Sequence, residues 1–94
     1  MAEGGRMQVV GSIVEEQGIN FAVVQVHAYM VGNAEEAEET IRAYTRLFPG
    51  MPVVLMAVGG KTGPTYWGRP DLATFMARQR PSAITWQKFS FARA

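Results

Sequence analysis

The one histidine of this chain, His27, stands in the run Val23-Val24-Gln25-Val26-His27-Ala28-Tyr29. In an extended strand, a spacing of two puts Gln25, His27 and Tyr29 on one face. An amide, an imidazole and a phenol side by side could line a ligand pocket or a dimer surface. A half-solvated sheet face is the plainer alternative, because a single imidazole without co-ligands nearby does not make a metal site. A second stretch with chemical content is Tyr66-Trp67-Gly68-Arg69-Pro70. Two large aromatics there meet an arginine at a helix entrance, where a guanidinium and free backbone N–H groups favour an anion. The plainer alternative is a tight strand-to-helix bend whose rings belong to the core. Gln25, His27, Tyr29, Tyr66, Trp67 and Arg69 are therefore the candidate ligand-binding residues.

Other chemistries are poorly served. Gly60-Lys61-Thr62 follows an apolar strand but lacks the glycine spacing of a phosphate-binding loop, and Gly63-Pro64 stands where a helix should begin. Ser12, Ser82 and Ser90 have no nucleophile-elbow context. The pairs Glu35-Glu36 and Glu38-Glu39 lie at a helix start, where the dipole accounts for them. The sequence has no cysteine, which removes thiol nucleophiles, thiolate zinc sites and disulfides. No catalytic residue, metal site or cofactor is assigned.

The elements that must position these residues are marked by turn and cap signals. Met7 to Val14 is apolar and β-rich, Glu15 to Gly18 reads as a turn, and Ile19 to Val31 as a returning strand. Asn33 is an N-cap with Glu36 three residues on. Ala37, Ile41, Tyr44 and Phe48 then share a helical face until Pro49-Gly50 stops the helix. Glu38 and Arg42 suit an i,i+4 pair on that helix. Met51 to Val58 is a continuous apolar strand, expected to be central. Thr65 to Trp67 reads as a short strand. Pro70-Asp71 opens a second helix with Leu72, Phe75, Met76 and Gln79 on one face, and Ile84 to Phe91 is the last strand.

The order ββαββαβ predicts an α/β two-layer sandwich, with a mixed sheet of four or five strands and two helices. Without its first strand this order resembles the ferredoxin-like topology. That resemblance implies a central leading strand with two neighbours already, so a preceding hairpin strand needs a place elsewhere or a different sheet order. Pro52 to Gln79, read as strand, glycine turn, strand and helix, is similar to the end of a thioredoxin-like fold, without the Cys-x-x-Cys of that family. Residues 1–6 are expected to be flexible and 7–94 to form a single domain.

The formal net charge of +1 conceals an asymmetry. Residues 1–49 hold three arginines against seven glutamates, and residues 50–94 hold six basic residues against Asp71. Such a division fits an anionic partner or contact between copies. The longest aliphatic stretch, Val53 to Val58, is far too short to cross a bilayer, and no leader pattern opens the sequence, so a cytoplasmic protein without membrane contact is expected. The first reading is a non-catalytic binding or homodimeric assembly module. The alternative is a small anion-binding protein or small enzyme using His27, Tyr29 and Arg69. Single-stranded nucleic acid ranks last, because the inner strand lacks an RNA-recognition signature.

Overall fold

A computed structural model describes residues 6–61 and 63–92. Residues 1–5 of the expected flexible start lie outside them, while Arg6 already begins the first strand, β1 (Arg6–Glu16). β1 returns as β2 (Ile19–His27) through Gln17 and Gly18, with φ of 52° and 79°. Two successive positive φ values give the hairpin a twist that matches its strands, and they shorten the turn to two residues. β1 and β2 pair from Gly11↔Val24 to Glu16↔Ile19.

β2 ends at His27, where the sequence pattern had suggested Val31. Residues Ala28–Met30 form a single 3₁₀ turn instead. Gly32 and Asn33 then start α1 (Ala34–Thr45). The Asn33 side chain accepts from the Glu36 N–H at 2.9 Å, and the Glu36 carboxylate accepts from the Gly32 N–H at 2.8 Å. The first bond satisfies an orphan helix donor, and the second reaches back one residue beyond the N–H that a capping box takes. β3 (Val53–Val58) lies parallel to β2, and β4 (Thr65–Trp67) returns antiparallel to β3. α2 (Pro70–Ala77) follows, then a 3₁₀ turn at Pro81–Ala83. β5 (Gln87–Ala92) starts three residues later than its sequence pattern suggested, and it pairs antiparallel with β1.

The result is a mixed five-stranded sheet with two helices, in the order β4-β3-β2-β1-β5. This is not the ferredoxin-like order. There the two parallel strands of a split β-α-β unit have another strand between them; here β2 and β3 are direct neighbours. The hairpin strand β1 takes the other side of β2 and carries β5 at the edge.

The helices also differ from a two-layer sandwich, which places both on one face. Ala22, Val24 and Val26 of β2 pack with Val53, Leu55 and Ala57 under Ala37 and Ile41 of α1. Phe21 and Val23, on the opposite face, pack with Val54 and Met56 against Leu72 and Met76 of α2. The physical reason lies at the start of β2: Ile19, Phe21 and Val23 are apolar where Gln25 and His27 are not. The first half of that face needs a cover of its own, and α2 supplies it. Val53 to Ala57 is accordingly buried on both faces, as a central apolar strand should be. Among the described residues, no helix is long and apolar enough to cross a membrane.

Candidate functional site

The six candidate residues fall at two places. Gln25 and His27 lie in the second half of β2, on the face that α2 covers only in part. They line a cavity of about 330 Å³ with Gln8, Val10 and Val58. Gln25 is half-buried and His27 exposed. Tyr29 lies beyond the strand end, in the 3₁₀ turn, and is 80% exposed. Strand alternation therefore does not place it. Its ring nevertheless tilts over His27, with centroids 5.0 Å apart. The imidazole also lies against Gly59.

The Tyr66-Trp67 pair is divided by the pleat of β4. Tyr66, opposite Met56, packs on the α2 side, and its hydroxyl donates to the Met56 sulfur at 3.4 Å. Burial pushes the Tyr66 phenol above its ordinary pKa. Trp67, opposite Leu55, packs on the α1 side. Its indole N–H is buried and has no hydrogen-bond partner among the described residues. Gly68 follows with φ 150°, and a Cβ there would stand 3.1 Å from the Val53 carbonyl oxygen. This close passage turns the chain over the start of β3 and brings Arg69 to the α1 side of the sheet.

Trp67, Gly68 and Arg69 form one wall of a cavity of about 450 Å³. Pro52 and Val53 form its floor, and Ala34, Ala37, Glu38, Ile41 and Thr45 of α1 form the other wall. Arg69 is not a free cation at its mouth. Its Nε and Nη2 donate to the two carboxylate oxygens of Asp71 at 3.0 and 2.7 Å. That bidentate pair raises the Arg69 pKa and lowers that of Asp71. The carboxylate also stands at the start of α2, where the helix dipole favours it.

The two places are far apart. Arg69 shares its cavity with Val53 at the start of β3, and His27 pairs with Val58 at its end. Five residues of strand separate them by about 17 Å. Trp67 and His27 also face opposite sides of the sheet. His27 and Arg69 therefore do not act on one small ligand. Among the described residues, no group of three or more His, Asp or Glu could hold a metal ion. Gly60 and Lys61 belong to the turn between the antiparallel strands β3 and β4, not to a helix entrance; Thr62 lies outside the described residues.

Two features go beyond the candidate residues. The α1 wall of the larger cavity leaves a mark in the sequence, since Ala34, Ala37 and Ile41 recur on one helical face. Edge strand β5 carries Phe89 and Phe91, whose rings stand 5.4 and 5.5 Å from that of Phe48. In comparisons with protein-family models, curated proteins and solved structures, nothing matches this chain.

Proposed function

We propose that this chain is a non-catalytic assembly module that pairs with a second copy of itself through β5. The observation that carries the reading is the unequal treatment of the two sheet edges. β4, at one edge, has three residues, short enough to offer little template. β5, at the other, has six residues, no proline and a continuous register with β1 from Gln87 to Ala92. Its outer backbone groups have no strand partner among the described residues.

A second copy suits this edge. Antiparallel strands related by a two-fold axis at Phe89 place Phe89 opposite its own image. Gln87 then lies opposite Phe91, and Lys88 opposite Ser90. The single charge of the edge thus meets no like charge, and cross-strand aromatic pairs stabilise such a junction. The formal net charge of +1 gives two copies little mutual repulsion. This edge suits self-association better than the His27 face, part of which α2 covers.

Sedimentation at micromolar concentration is the test, with dimer expected for the wild type. Ser90→Lys puts a second cation opposite Lys88 at two symmetric places, and it raises the dimer Kd by roughly two- to thirty-fold. Ser90→Glu moves it the other way. Both residues are exposed, so the fold tolerates the changes. A wild type that sediments only as monomer, or a dimer indifferent to both substitutions, overturns the reading.

A further inference from the structure

We propose that the cavity between α1 and the β4–α2 turn binds a small amine with an apolar body. Its volume of about 450 Å³ lies within the range of small-ligand sites. Its lining is mostly apolar: Ala37, Ile41, Val53 and the Trp67 ring. The electrostatics select the charge of the occupant. Arg69 is neutralised by Asp71 in a two-bond pair. Glu38, on the opposite wall, has no ion-pair partner among the described residues; the Arg42 expected to pair with it does not come within ion-pair distance. The one uncompensated charge in the lining is therefore negative. The Trp67 ring across the cavity is of the aromatic type that attracts cations most strongly.

The Trp67 ring itself lines the cavity, so its indole resonance reports on an occupant. The site lies on the α1 side of the sheet and does not depend on pairing through β5.

Three molecules of one shape test this: tyramine, 4-ethylphenol and 3-(4-hydroxyphenyl)propionate, which carry a cation, no charge and an anion. The readout is the indole N–H resonance of Trp67 in an ¹H–¹⁵N spectrum. Trp86, packed in the cluster on the other face, provides a control resonance. Tyramine is expected to shift Trp67 and leave Trp86 in place, with an affinity roughly three- to thirty-fold above that of 4-ethylphenol. The propionate is expected to bind weakest. Glu38→Gln is expected to shrink the preference for tyramine by up to about five-fold. Ala34→Leu, at an exposed lining position, is expected to abolish the shift while the far-UV spectrum is unchanged. Equal binding of all three molecules, tighter binding of the anion, an unmoved Trp67, or undiminished binding to Ala34→Leu overturns the proposal.

Discussion

The imidazole of His27 packs against Gly59 so closely that a methyl group there would lie 3.1 Å from Nδ1. Gly59 also has a φ of 92°, a conformation that L residues rarely adopt. The contact ties the end of β2 to the turn after β3, and His27 also meets the tilted ring of Tyr29.

Two separable penalties follow for Gly59→Ala, one from φ and one from the imidazole. The substitution is expected to destabilise the protein by about 1–3 kcal/mol in urea unfolding. In a His27→Ala background the steric part vanishes and the φ part remains. The double-mutant cycle should therefore show a coupling of at least about 0.5 kcal/mol. Simple additivity would mean that the ring does not hold this position in solution.

The cover that α2 gives to one sheet face rests on Leu72 and Met76, which are 1% and 0% exposed. Leu72→Ala is expected to cost about 2–5 kcal/mol, because the sheet beneath cannot collapse into the space. Gln8→Ala, on the uncovered half, is expected to change stability by less than about 0.5 kcal/mol. Similar losses at both positions would mean that the two halves of this face are covered alike.

These halves also show what the sequence makes legible. The turn read at Glu15 to Gly18, which forms over its last two residues, and the Asn33 cap are local: a few residues decide each. Which face each helix covers is not local. The even positions of β2 from Ala22 to Val26 are apolar, and that stripe draws attention away from Ile19, Phe21 and Val23 on the other side. The strand order has the same character. Nothing within β2 states whether β3 lies beside it or one place away; the register Ala22↔Val53 joins residues 31 apart. The candidate site divides in the same manner. The adjacency of Trp67 and Arg69 is visible in the chain. The wall that α1 adds opposite them comes from some thirty residues earlier, and no spacing rule connects the two.

Helix α1 offers a direct measure of its own cap. Asn33→Ala is expected to destabilise the protein by about 1 kcal/mol, and Asn33→Gly by only a few tenths. Thermal melts of the two variants should therefore be resolved from each other. Equal losses would mean that the side-chain acceptor contributes nothing beyond the backbone conformation of the cap.

Tyr66 gives the protein an alkaline limit. Burial raises its phenol pKa in the folded state above the ordinary value of 10.0. Folding therefore favours the protonated phenol, as its donation to the Met56 sulfur also requires. The associated stability is fully present below the unfolded pKa, and it is lost as pH rises through the folded one. Urea midpoints are expected to fall above pH 10 in the wild type. Tyr66→Phe, which keeps the ring and removes the proton, should flatten that part of the profile. In a spectrophotometric titration, the component that ionises above the ordinary phenol range should disappear in the same variant. An unchanged alkaline slope in Tyr66→Phe would place the cause elsewhere in the chain.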